Sequence, residues 1–124
     1  AYVLSEENYE NCYKKALALR EELKEDYKSA FKKCDLILSP TTPDAAGKFS
    51  DLTPENKHKL KSDKLIVSAS LAGLPSISTP CGYTKNAMPI GLSVTGAAFS
   101  DSRVLAAADF FEREYFDSKK RQFI

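Results

Sequence analysis

The chain has little of what nucleophilic, metal or redox chemistry needs. Its five glycines never cluster, and it holds no Gly-Ser-Ser run. A Gly/Ser-rich stretch that frames a serine nucleophile is therefore missing, and no lysine sits in a pocket of that kind, where its pKa would fall far enough for it to act as a base. The single histidine, His58, lies among Lys57, Lys59 and Lys61, the setting of a solvated loop, so nothing in the pattern activates Ser76, Ser78 or Thr79. The three cysteines, Cys12, Cys34 and Cys81, lack Cys-x-x-Cys spacing. That argues against a metal or redox site, and their odd number suits a reducing compartment, cytoplasmic or organellar if a targeting segment exists. Three buried or half-buried thiols are expected. Lys and Arg number 18 against 17 Asp and Glu, a balance unlike that of a generic nucleic-acid-binding domain. No apolar run approaches membrane-spanning length and no signal-peptide pattern opens the chain, so no membrane partner is expected.

What is present is ordinary for a globular protein: 124 residues, 43% hydrophobic and 28% charged, enough for one domain with a modest core. Ser5 is expected to cap a helix with Glu6 and Glu7 in its first turn. Tyr9, Tyr13, Ala16, Leu19, Leu23, Tyr27, Ala30 and Cys34 then recur at helical spacing, an apolar stripe opposite a face of mixed charge. This helix is too long for the rest of the chain to cover, so part of its stripe wants another partner. Asp35 to Ser39 reads as a short strand whose unbroken Leu-Ile-Leu run predicts burial on both faces, as in a central strand. Thr41 to about Lys59 reads as a long loop. A helix is expected from a cap at Ser62 to Ala72, and another from Ser100 to about Ser118, with Val104, Ala108, Phe111 and Tyr115 inward.

The most informative stretch runs from Leu71 to Gly82, Leu-Ala-Gly-Leu-Pro-Ser-Ile-Ser-Thr-Pro-Cys-Gly. Gly73 predicts a left-handed helix stop, and Pro75 forbids continuation. Ser76 to Thr79 is a short extended run, brief or irregular because of its two flanking prolines. Pro89 to Val94 forms a second strand, with Ile90, Leu92 and Val94 alternating against Gly91, Ser93 and Thr95.

These blocks, with Tyr2-Val-Leu-Ser5, the run from Tyr9 to Arg20, Asp35-Leu-Ile-Leu-Ser-Pro-Thr-Thr-Pro43, Asp63 and Pro89-Ile-Gly-Leu92, resemble in order and spacing the C-terminal part of the amidase signature family. Within that family the branch that supplies ammonia for tRNA-dependent amidation is the most similar. The resemblance implies an α/β fold, a mixed sheet flanked by helices, with residues 1–124 forming the C-terminal portion of an amidase domain. It also implies a serine nucleophile, a second serine in a cis peptide and a lysine base, all in the part that precedes this chain, so the chain alone is expected to be inert. Asp63 matches the family's contact to the α-amino group of glutamine; read from the residues alone, it is an N-terminal helix carboxylate that favours the dipole. The arginine that holds the substrate carboxylate falls ahead of Ala1. The implied partners are the N-terminal part of the same amidase, the B and C subunits of the amidotransferase, glutamine and, indirectly, tRNA. No cofactor is implied in this chain, since ATP and Mg2+ belong to the partner subunit.

The chain departs from the family pattern at Ser70, where asparagine is usual, at Ala87-Met88, where Gly-Leu is common, and at Ser93, where glutamine is frequent. Another amidase of the same family with a different amide substrate, and a non-catalytic α/β module that binds a partner through its helix stripe and sheet edges, are the alternatives.

Overall fold

A computed structural model describes residues 9–46 and 65–115, Asn11 by its backbone alone. Tyr9–Lys14 winds as a π-helix and leads directly into α1, Lys15–Phe31. Strand β1, Leu36–Pro40, follows, and then, past the undescribed segment, α2, Val67–Ala72. The chain continues through β2, Ser76–Tyr83, β3, Pro89–Gly96, and α3, Asp101–Tyr115. The described strands make one sheet in the order β1-β3-β2, and both pairings are antiparallel.

The alternation of helix and strand is that of the expected α/β class, but no parallel pair occurs among the described strands. The predicted central strand is also displaced. β1 lies at an edge, with Leu38 60% exposed, and β3 takes the centre. A run of apolar residues reports that both faces want cover; it does not report which strand has neighbours on both sides. Pro80 explains the opposite placement of β2. A proline cannot donate to a ladder and is tolerated on an edge, and the register slips beside it, where Pro80 opposes Gly91 and Gly82 opposes Ile90, leaving Cys81 as the extra residue of a bulge. The two-proline run is thus longer than expected, and irregular.

The helix stop at Gly73 is as the sequence predicts. Gly73 adopts φ 72°, ψ 38°; its N–H donates to the Ser70 carbonyl at 3.1 Å and that of Leu74 to the Ala69 carbonyl at 3.0 Å. This is the Schellman arrangement, which satisfies two carbonyls that the helix end leaves without partners. The first helix differs from expectation at both ends. Its opening turn is π rather than α, for which the stripe gives no warning. Its end comes at Phe31 instead of Cys34, where the Lys33 N–H turns back to the Ala30 carbonyl at 2.9 Å. Ser5 and Ser62 lie outside the described residues.

The core sits where α3 crosses β2 and β3. Val104 and Ala108 are buried there, together with Val94 and Thr79, while Ala69 and Ala72 bury the inner side of α2. Side chains at even positions of β3 share one face with Ile77 and Thr79, and Gly96 completes that face. A Cβ on Gly96 would overlap Ser100 Oγ and Val104 Cγ2, so the absent side chain is what lets α3 lie close to the sheet. Tyr115, predicted inward, is exposed. An ion pair from Arg103 Nη1 to Asp35 Oδ1 at 2.7 Å joins α3 to the entrance of β1. Both partners are exposed, so it contributes at most about 1 kcal/mol.

Candidate functional site

Strand alternation places the hydroxyl side chains on the sheet face opposite α3. Ser76 stands across from Thr95 and Ser78 across from Ser93. Ser76 Oγ lies 2.9 Å from Thr95 Oγ1 and 3.1 Å from Ser93 Oγ. Thr41 Oγ1 lies 2.7 Å from Ser78 Oγ, above Gly91. Each of these hydroxyls can be both donor and acceptor, so the set is largely self-satisfied. They are held by neighbouring hydroxyls, and no acid or base stands among these partners. That arrangement positions side chains; it does not activate one.

Thr79 points the other way, into the α3 interface. It is 3% exposed, and its Oγ1 has no hydrogen-bond partner. The cysteines correct an expectation: Cys12, Cys34 and Cys81 are all exposed, and none forms a disulfide. Their positions at the π-helix, past the end of α1 and in the β2 bulge put them on the outside of thin elements. The Cys34 and Cys81 thiols donate at 3.4 Å to the carbonyls of Ala30 and Ile90.

Two concavities are formed among the described residues. The larger, about 550 Å3, lies between α1 and the turns that follow α2 and β3; Tyr27, Phe31, Ala72, Leu74 and Ala97 form its apolar walls. Tyr27 and Phe31 stack there with ring centroids 6.2 Å apart, and the Tyr27 hydroxyl meets Ser68 Oγ at 2.8 Å. Arg20 Nε donates to the Leu71 carbonyl at 2.7 Å, so polar contacts tie α1 to α2. At the rim, Lys24 donates to Glu21 at 2.6 Å, and this hydrogen bond holds the Glu21 carboxyl below its usual pKa. The hydrogen bond from Lys28 to Glu25 raises the lysine pKa in the same way. The smaller concavity, about 200 Å3, is bounded by Pro40, Pro43, Asp44, Thr84 and Ile90, at the far end of the sheet.

Asp63, the predicted substrate contact, lies outside the described residues, as do His58, Lys57, Lys59, Lys61 and Lys64. The elements on either side of that segment are described: β1 runs into the Thr41–Thr42 turn, and α2 leads into β2. Among the described residues no group of acidic, histidine or cysteine side chains is arranged to hold a metal ion, and no helix is long and apolar enough to cross a membrane.

A family model described as Amidase matches residues 1–105. The chain belongs to the Amidase family. It is 42% identical over 119 residues to the glutamyl-tRNA(Gln) amidotransferase A subunit of Caldanaerobacter subterraneus subsp. tengcongensis, a match that covers 95% of this chain and 24% of that protein. The crystal structure of the corresponding protein from Thermotoga maritima superposes with a TM-score of 0.75 at 31% identity, over 92% of this chain and 25% of that one. A bacterial aryl acylamidase of the amidase signature enzymes superposes with a TM-score of 0.74 at 23% identity, over 94% and 25%, and so shares the fold. The chain therefore spans about a quarter of the length of its relatives. The resemblance read from the residues is confirmed at the level of family and fold.

Proposed function

We propose that this chain is the C-terminal portion of the glutamine-hydrolysing amidase subunit of a tRNA-dependent glutamine amidotransferase. That subunit releases ammonia from glutamine for the conversion of Glu-tRNA(Gln) to Gln-tRNA(Gln). The observation that carries the reading is the 42% identity to an amidotransferase A subunit, sustained over 95% of the chain.

In this reading the chain contributes structure and one substrate contact. The serine nucleophile and lysine base come from the N-terminal part of the polypeptide. The Asp63 carboxylate receives the α-ammonium of glutamine through charge-assisted hydrogen bonds. An aspartate there selects an amino-acid amide over an amide that lacks the charged amine, which separates this reading from an amidase of other specificity. Hydrolysis consumes water and yields glutamate and ammonia. The ammonia passes to the B subunit, which uses ATP and Mg2+, and the C subunit completes the assembly.

The test is Asp63→Asn in the complete enzyme. Removal of one partner of a buried charge pair costs on the order of 2–5 kcal/mol, so kcat/KM for glutamine is expected to fall by at least about tenfold. Amidation driven by added ammonia, which does not need the glutamine pocket, is expected to be nearly unchanged. Unaltered kinetics with glutamine would return Asp63 to a helix-terminal carboxylate and favour a different amide substrate.

A further inference from the structure

Helix α2 has little of its own to hold it. Its six residues, Val67–Ala72, bury only Ala69 and Ala72, and Ile66 at its N-cap makes no side-chain capping bond. So short a helix does not stand on propensity alone, and two alanine side chains offer little apolar area to fix it. What fixes it comes from α1. The Tyr27 hydroxyl meets Ser68 Oγ at 2.8 Å in a half-buried contact, and Arg20 Nε donates to the Leu71 carbonyl at 2.7 Å. Residues 20 and 27 lie two turns apart on one helix face, so a single face of α1 holds α2 near both ends. At the end of α2 the carbonyls of Ser70 and Ala69 are taken by the N–H groups of Gly73 and Leu74. Arg20 supplies the donor for the next carbonyl, that of Leu71, where a cation also suits the helix end.

We infer that Arg20 and Tyr27 are positioning residues for the substrate pocket, because they set the place of α2 and through it that of Asp63. The inference rests on the proposed role of Asp63 as the contact to the substrate ammonium. Only Lys64, Leu65 and Ile66 stand between Asp63 and α2, a tether no longer than about 14 Å. A shift of α2 therefore carries the carboxylate with it, and charge-assisted hydrogen bonds tolerate little misplacement. The α-ammonium is remote from the amide that reacts, so this contact is made alike in the bound substrate and in the transition state. Weakening it raises KM and leaves kcat in place. A purely structural role for the two side chains would lower the thermal midpoint and leave KM unmoved.

The experiment uses the complete enzyme. Tyr27→Phe keeps the ring and removes the hydroxyl. It is expected to raise KM for glutamine by about three- to tenfold, with kcat and ammonia-driven amidation each within about twofold of the parent. Ser68→Ala is expected to do the same, and the two changes together no more than either alone, since they break one bond. Arg20→Met is expected to raise KM in the same way, with Arg20→Lys, which keeps a cationic donor, restoring part of it. Because Tyr27 acts through Asp63, Tyr27→Phe added to Asp63→Asn is expected to deepen that defect by less than about twofold. Val94→Ala, beneath α3, is the control: it is expected to lower the thermal midpoint more than Tyr27→Phe does and to leave KM within about twofold. A Tyr27→Phe enzyme with a lower midpoint and unchanged KM, one equally impaired with added ammonia, or a full additional effect on Asp63→Asn would each overturn the positioning role. The same KM pattern with another amino-acid amide, in a parent enzyme that spares glutamine, would leave the positioning role standing and overturn the glutaminase reading.

Discussion

Helices α1 and α3 are of similar length, 17 and 15 residues, and both carry apolar side chains at helical spacing, yet they meet the fold differently. α3 buries Val104 and Ala108 against Val94 and Gly96, where small side chains let helix and sheet approach closely. No residue of α1 is fully buried, and the helix is tethered to α2 by the Arg20 and Tyr27 hydrogen bonds. An amphipathic stripe states that a helix needs an apolar partner. Whether the partner lies in the same stretch of chain depends on shape complementarity at the contact, and only α3 has it here.

The sharpest break of this comparison is a pair of truncations. Val94 is the only large side chain below 2% exposure among the described residues. Val94→Ala removes two methylene equivalents and leaves a cavity beneath α3, which is expected to cost about 2 kcal/mol. Leu19→Ala removes more apolar volume from α1, yet is expected to change the stability of the isolated chain by less than about 0.5 kcal/mol, because Leu19 already faces water. Urea unfolding of both variants checks the contrast. A larger loss at Leu19 would show that α1 packs in this chain after all.

A smaller change sharpens the packed half. Thr79 Oγ1 is buried at the α3 interface without a partner, and an unsatisfied hydroxyl there costs on the order of 1–3 kcal/mol. Thr79→Val keeps the branched shape and removes the orphaned group, so a gain of about 1 kcal/mol is expected. A lower urea midpoint would mean that the hydroxyl does find a partner in solution.

The packed half is also the more legible one in the sequence. Gly73 followed by Pro75 encodes a stop whose chemistry is local, and the alternation from Pro89 to Val94 encodes a strand with one apolar face. Both are seen in the structure. Strand period puts Ser76 with Ser78 and Ser93 with Thr95; in the structure Ser76 meets Ser93 and Thr95, while Ser78 meets Thr41. What escapes reading depends on neighbours. The apolar run of β1 does not distinguish a central strand from an edge strand waiting for cover. The π turn at Tyr9–Lys14 uses residues that suit an α-helix equally well, and nothing in the structure explains it. The orphaned Thr79 hydroxyl is equally hidden: a threonine between Ser78 and Pro80 gives no sign of which groups α3 will bring. Asp63 stands on resemblance to the family, outside the described residues.

The smallest expected effect lies in the turn between β2 and β3. There the Thr84 N–H donates to the Met88 carbonyl at 2.8 Å, the Ala87 N–H to the Thr84 carbonyl at 3.0 Å, and the Met88 N–H to Thr84 Oγ1 at 3.1 Å. These bonds close the loop only with Ala87 at φ 59°, where its methyl group crowds the following carbonyl. Glycine has no such crowding. It also has a more flexible unfolded chain, which offsets part of the gain. Relief of the left-handed strain exceeds that entropy, so Ala87→Gly is expected to stabilise the chain by about 0.5 kcal/mol. The gain should appear as slower exchange of the Thr84 and Met88 amides, with no change near α1. A loss of stability would mean that the turn relaxes away from the left-handed region in solution, and that the three Thr84 and Met88 hydrogen bonds do not fix it.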